Sequence, residues 1–294
     1  MGRFAPSPTG PLHFGSLVAA VASHADARAA GGEWLLRIED VDVPRSTADA
    51  EAAIVEALAQ HGFRWDGAIA RQSMRTQLYE AAIDRLRACD LVYECACTRR
   101  EVEAGPLVNG ERIYAGTCRD GIAPSHAHRR QRSLRVKVPG EAVAFVDRVQ
   151  GAQSQSLRHD VGDFVIRRAD GWVAYQLAVV VDDAAQGVTH VVRGADLLAS
   201  TPRQIFLQHA LGLSTPSYLH VPVAIDRHGR KLSKQTDAAP LSSDPMNALL
   251  AAWAFLDQPQ PQPAPRTPAE FWRFAARAWT PARVPPVSML PSPA

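Results

Sequence analysis

Two short glycine-bearing stretches, far apart in the chain, carry residues suited to handling phosphate. The first is Pro6-Ser7-Pro8-Thr9-Gly10-Pro11-Leu12-His13-Phe14-Gly15-Ser16. It falls where a first strand hands over to its helix, which is where α/β sheets bind nucleotides. A helix N-terminus presents unbonded N–H groups and a positive dipole end to phosphate. His13 adds a donor that can stabilise charge on an α-phosphate, and Gly15 leaves room for a base to lie against the backbone. The second stretch, Lys231-Leu232-Ser233-Lys234-Gln235, follows Asp226-Arg227-His228-Gly229 in a loop. Two lysines spaced to point the same way can neutralise the triphosphate charge that grows during attack at the α-phosphorus. Taken singly, each stretch also reads as something plainer, a structural histidine or a solvated basic loop.

A third constellation suits metal. Cys95-x-Cys97 is followed by Cys118, and three thiolates with a tight first spacing fit a tetrahedral structural zinc that staples a small insertion. On chemistry alone a histidine such as His126 or His128 is the usual fourth ligand. Three unrelated reduced cysteines are the competing reading. Cys89 stands apart and is expected to be a small core residue. With no export signal and no run approaching the ~20 apolar residues of a membrane span, a cytoplasmic enzyme without disulfides is expected. The net charge of +2 does not announce a nucleic-acid binder. Local clusters such as Arg129-Arg130-Gln131-Arg132 and Arg167-Arg168 can touch phosphate or simply face solvent.

The elements that must position these groups are legible in outline. Gly2-Arg3-Phe4-Ala5 reads as a short buried strand stopped by prolines, residues 16–30 as a helix ended by Gly31-Gly32, and Trp34-Leu35-Leu36-Arg37-Ile38 as a second strand. Strand, turn, helix and strand in succession make a βαβ unit and hence a parallel sheet. Residues 47–60 and 73–88 read as amphipathic helices. From 91 to 161 the texture changes to cysteines, glycines and short alternating runs, expected to be an inserted small α+β subdomain. Regular structure resumes with Phe164-Val165-Ile166, the apolar run 177–181 and residues 188–192. Residues 200–211 read as a helix capped by Thr201 with Pro202 in its first turn, and 246–256 as a last helix. The tail is rich in proline and glutamine over 258–265 and ends in another proline-rich stretch that is expected to be poorly ordered.

Taken together and in this order, the motifs closely resemble those of class I aminoacyl-tRNA synthetases of the glutamyl type. The two ATP motifs appear as His13-Phe14-Gly15-Ser16 and Lys231-Leu232-Ser233-Lys234-Gln235. Around them stand Arg3-Phe4-Ala5-Pro6-Ser7-Pro8-Thr9-Gly10, Leu36-Arg37-Ile38-Glu39-Asp40, Tyr175-Gln176-Leu177-Ala178 and Val192-Arg193-Gly194-Ala195-Asp196-Leu197-Leu198, over roughly residues 1–245. Ser16 replaces the second histidine of the first motif and Gln235 ends the second, while His13, Gly15, Lys231 and Lys234 remain.

The resemblance implies an α/β fold with a Rossmann-like catalytic domain in two halves, residues 1–90 and 162–245. It further implies a zinc-bearing insertion at 91–161 and a short helical, proline-rich part at 246–294. ATP binding falls to Pro8, His13, Gly15, Lys231, Ser233 and Lys234, with His13, Lys231 and Lys234 catalytic and Mg²⁺ accompanying ATP. Glutamate binding falls to Arg3, Phe4, Ala5, Pro6, Ser7, Glu39, Tyr175 and Arg193. Arg3 lies in an otherwise apolar strand, where an unpaired charge is costly, which favours a binding role. The resemblance supplies Tyr114 as the fourth zinc ligand beside Cys95, Cys97 and Cys118. Residues 235–294 are too few and too proline-rich for the helical anticodon-reading body of a full-length glutamyl enzyme. The layout therefore looks like the glutamyl-queuosine tRNA(Asp) synthetase family, implying a monomer that activates glutamate without tRNA and esterifies queuosine in tRNA(Asp). The rival readings are a minimal glutamyl-tRNA synthetase charging the 3′ end of tRNA(Glu), and a catalytically silent amino-acid- or RNA-binding paralogue.

Overall fold

Proline and capping chemistry set the first elements. β1 (Gly2–Phe4) is buried throughout and short, because Pro6 and Pro8 withhold the N–H groups a sheet requires. α1 (Phe14–Ala29) starts at His13, whose Nδ1 accepts the Ser16 N–H. It ends where Gly31 takes φ 63°, a left-handed turn that glycine adopts without strain. β2 (Trp34–Ile38) runs parallel to β1 from Gly2/Trp34 to Phe4/Leu36. α2 (Ala48–Gln60), capped by Thr47, leads to β3 (Ala70–Arg71), parallel to β2, and then to α3 (Thr76–Ala88). The computed structural model describes residues 1–108, 111–232, 241 and 244–292.

Smaller elements follow: β4 (Val92–Cys95), α4 (Arg99–Glu103), β5 (Leu107–Val108), β6 (Glu111–Arg112), β7 (Ser133–Val136), β8 (Ala142–Asp147), β9 (Gly151–Ser156), α5 (Leu157–Asp160) and β10 (Phe164–Arg167). β7 pairs antiparallel with both β4 and β10, so one small sheet runs across position 161. The β8–β9 hairpin turns back onto the main body. There Arg148 donates to both oxygens of Asp26 on α1, and its N–H bonds the Tyr218 carbonyl.

The apolar run 177–181 forms the middle of α6 (Tyr175–Ala185), a helix enclosed widely enough that burial around its middle is the stable arrangement. β11 (His190–Gly194) comes alongside the start of β1, where the N–H groups of Thr189 and His190 both bond the Met1 carbonyl. After α7 (Thr201–Ala210), β12 (Ser217–Val221) pairs parallel to β11, extending the parallel arrangement expected of an α/β fold. β13 (Val223–Ile225), α8 (Pro245–Phe255), α9 (Pro268–Ala278) and β14 (Met289–Pro291) complete the chain.

Three expectations are corrected. The cap of α7 is Ser200 rather than Thr201; Thr201 is buried, and its hydroxyl accepts a bond from Arg193. Cys89 is exposed at the end of α3, outside any core. Residues 246–256 are not the last helix, and the proline-rich end is structured: Thr267 caps α9 with Pro268 in its first turn, and Phe271, Trp272 and Ala275 are buried. Trp272 packs on the His24 ring at 4.2 Å between centroids and donates its indole N–H to the His61 carbonyl. β14 pairs parallel with β13. Aromatic burial against α1 outweighs the low helix preference of the flanking prolines. Among the described residues no helix is long and apolar enough to cross a membrane.

Candidate active site

The carboxyl ends of β1 and β11, the loop into α1 and the start of the second lysine stretch surround one cavity of about 600 Å³. Its lining includes Arg3, Phe4, Ala5, Pro6, Ser7, Glu39, Tyr175 and Arg193, together with His13, Gly15, Ser16, Lys231 and Leu232. Two motifs more than two hundred positions apart in sequence therefore meet. The Leu232 carbonyl lies 3.7 Å from where a Cβ on Gly15 would stand, and the His13 ring only 3.3 Å from it. A Cβ at position 15 would press the His13 ring by a few tenths of an ångström while meeting the Leu232 carbonyl at ordinary contact distance. Pro8 does not line the cavity; its carbonyl accepts the Thr47 N–H and so fixes the entry to α2. Ser233 and Lys234 lie outside the described residues.

Around Arg3 the charges are buried and interlocked. Arg3 Nε donates to Asp183 Oδ1 at 3.2 Å, so the strand arginine has a carboxylate partner within the fold. Arg37, wholly buried, donates to the same Asp183 oxygen at 2.7 Å and to Glu39 Oε1 at 3.2 Å. Asp182 next door receives Arg75, Gln72 and Tyr79. Burial works to raise the Asp183 pKa, but Arg3 and Arg37 outweigh it and hold the carboxyl below its usual range. For Glu39 burial prevails over the same two arginines and the pKa rises. Burial also raises the Tyr175 pKa, with Arg193 opposing, so the phenol keeps its proton and remains a donor.

Arg193 differs from the other buried arginines here. Its Nε donates to His220 Nε2 at 3.0 Å, and its Nη2 to the Thr201 hydroxyl at 2.9 Å and the Leu197 carbonyl. Its Nη1 is buried and has no partner among the described residues. No carboxylate lies within ion-pair distance of it among those residues. A buried guanidinium with an unbonded N–H and only neutral partners, lining a cavity, is suited to an anionic ligand group.

On the phosphate side, His13 Nδ1 accepts the Ser16 N–H, which leaves Nε2 protonated, 3.1 Å from Ser16 Oγ. The serine that departs from the family motif thus holds the ring of the histidine that remains. Lys231 Nζ lies 2.5 Å from Asp196 Oδ2, a pair open to solvent. Of these groups Asp183, Arg37, His220 and Asp196 were not singled out from sequence. Asp183 and His220 act through contacts of large sequence separation, whereas Arg37 and Asp196 lie inside quoted motifs.

The sulfurs of Cys95, Cys97 and Cys118 lie within 4.8 Å of one another. Tyr114 Oη stands 3.4 Å from Cys95 Sγ and 3.8 Å from Cys97 Sγ, and accepts the Cys118 N–H at 2.8 Å. His126 Nδ1 is 3.8 Å from Cys97 Sγ, and its Nε2 is 3.2 Å from Glu101. His128 is exposed. The donor set fits a tetrahedral thiophilic ion, with phenol oxygen and imidazole both within reach of the fourth position.

The family model for tRNA synthetases class I (E and Q), catalytic domain, matches residues 1–247. Similar curated proteins include the glutamyl-Q tRNA(Asp) synthetase of Dechloromonas aromatica, 53% identical over 298 residues, covering 100% of this chain and 98% of that protein. That of a Janthinobacterium species is 54% identical over 288 residues, covering 95% and 96%. Among solved structures, a glutamate tRNA ligase from Elizabethkingia meningosepticum in complex with its amino acid is similar with a TM-score of 0.80 at 25% identity. The match covers 99% of this chain and 66% of that one, so this chain spans just under two thirds of the ligase.

Proposed function

Because the chain belongs to the class I glutamyl and glutaminyl tRNA synthetase family, we propose that it activates L-glutamate with ATP, without tRNA, and transfers it to queuosine in tRNA(Asp). The carrying observation is the convergence of His13, Gly15 and Lys231 with Arg193 around one cavity. The substrate's side-chain carboxylate faces the Arg193 guanidinium, its ammonium faces Glu39, and Arg3, Tyr175 and Ser7 complete the polar wall. An α-carboxylate oxygen then attacks the α-phosphorus in line and pyrophosphate leaves. His13 Nε2–H and Lys231, with Lys234 and Ser233 from the same stretch, stabilise the charge that develops. Mg²⁺ accompanying ATP supplies further neutralisation of the phosphates. A queuosine hydroxyl attacks the adenylate carbonyl and AMP departs.

On this reading residues 1–90 and 162–245 form the catalytic body, 91–161 an insertion and 246–294 a C-terminal part, in a monomer working in the cytoplasm. Cys95, Cys97 and Cys118, with Tyr114 as the family pattern has it, would hold a structural Zn²⁺, which cross-links a segment with little core of its own. The naming of the relatives supports the queuosine acceptor. Glutamate-dependent pyrophosphate–ATP exchange in the absence of tRNA is the expected result. Alkali-labile glutamate should appear on queuosine-containing tRNA(Asp) and not on the unmodified form; equal charging of both would overturn the acceptor.

A further inference from the structure

Behind Arg193 runs a buried chain of groups that the scheme above leaves unused. Arg193 Nε donates to His220 Nε2 at 3.0 Å, and His220 Nδ1 lies 2.6 Å from Asp147 Oδ2. Both His220 and Asp147 are essentially excluded from solvent. A guanidinium can only donate, so His220 Nε2 must accept and the single proton of the neutral ring sits on Nδ1, donated to Asp147. Burial and the Arg193 charge hold the His220 pKa down against the pull of Asp147, which keeps the ring neutral. The other Asp147 oxygen is occupied as well: Oδ1 accepts the N–H groups of Val149, Gln150 and His220 at 3.0, 2.9 and 3.2 Å. Those bonds lock the carboxylate's orientation at the turn of the β8–β9 hairpin. The hairpin turn thereby reaches the cavity through two side chains.

We infer that Asp147 and His220 are positioning residues that fix the ring tautomer and so hold the Arg193 guanidinium in its orientation at the cavity it lines. Arg193 has its Nε and Nη2 committed to His220 and Thr201, so the ring's protonation decides how the whole guanidinium is set beside the cavity. If the ring proton moved to Nε2, two N–H groups would oppose each other and the guanidinium would have to turn away. The inference rests on the glutamate reading of this site.

Asp147→Asn makes this testable because the change is isosteric and its orientation is dictated. The three backbone N–H groups require an oxygen at Oδ1, so the amide NH₂ must replace Oδ2 and face His220 Nδ1. The ring escapes that clash by moving its proton to Nε2, toward Arg193. The expected result is a glutamate KM raised about tenfold to a hundredfold, the worth of a hydrogen bond to a charged group. The kcat at saturating glutamate and the KM for ATP should stay within about twofold, as for loss of ground-state positioning. Long-range ¹H–¹⁵N correlation of the histidine rings should show His220 protonated at Nδ1 in the natural chain and at Nε2 in the variant. As a second arm, His220→Leu should raise the glutamate KM alone, and His220→Gln, which restores an acceptor oxygen, should bring it most of the way back. An unchanged glutamate KM in Asp147→Asn, an unmoved ring proton, or a parallel rise in both KM values each overturns the inference. The ring measurement needs no substrate, whereas failure of the glutamate reading would show as absent exchange in the natural chain.

Discussion

Across one cavity, charge is held in two contrasting ways. Around the amino-acid slot Arg3, Glu39, Asp183 and Arg193 are each less than a tenth exposed, and every one is tied to fixed neighbours. On the phosphate side Lys231 and Asp196 are 46% and 34% exposed and hold one another. Buried charges feel a low effective dielectric and cannot rearrange cheaply, so the slot's donors are set before a ligand arrives. An exposed pair is worth little and is easily exchanged, which suits a lysine that must give up a carboxylate for a phosphate. The contrast assigns selection to the buried side and transition-state neutralisation to the open side.

The strongest way to break that contrast is Arg193→Ala. It removes the guanidinium that faces the ligand and the Arg193 N–H bonded to His220 Nε2, and kcat/KM for glutamate should fall about a thousandfold, as for truncating a buried charged partner. Steady-state exchange kinetics should place most of this loss in the glutamate KM and leave the ATP KM near its natural value. Lys231→Ala should do the reverse, lowering kcat about a hundredfold through lost stabilisation of developing phosphate charge while the glutamate KM holds. If Arg193→Ala damages ATP binding, or Lys231→Ala damages glutamate binding, the two sides are not separate devices.

Much of this arrangement was legible before any coordinates, and the parts that were not share a cause. The βαβ start could be read because its signals are local: Pro6 and Pro8 stop β1, Gly31 ends α1, and Trp34 to Ile38 form a single apolar run. The cavity residues could be read because short motifs carry them. Their supports could not, because Asp183 stands 180 positions from Arg3 and Asp147 stands 73 from His220, and no local pattern announces such pairings. The tail was misread through its composition. Its prolines obscured a further helix: Thr267-Pro268-Ala269-Glu270 is a helix start followed by Phe271, Trp272 and Ala275 at helical spacing. That signal was present and was outweighed by counting prolines.

The gentlest test bears on the open side alone. In Asp196→Asn the lysine loses the carboxylate that holds it in the absence of nucleotide, while Lys231 keeps its charge. Since ATP must displace that carboxylate, the ATP KM should fall, by no more than about fivefold given what exposed ion pairs are worth. The gain should fade as salt is added, because near 1 M the Debye length shrinks to about 3 Å and screens the pair in the natural chain as well. The glutamate KM, governed by groups shielded from solvent, should change with neither the substitution nor the salt. A series of exchange measurements at rising ionic strength reads both constants from one set of samples. A rise in the ATP KM on removing Asp196 would mean that the carboxylate contacts the nucleotide itself, and the open side would then share the fixed character of the buried one.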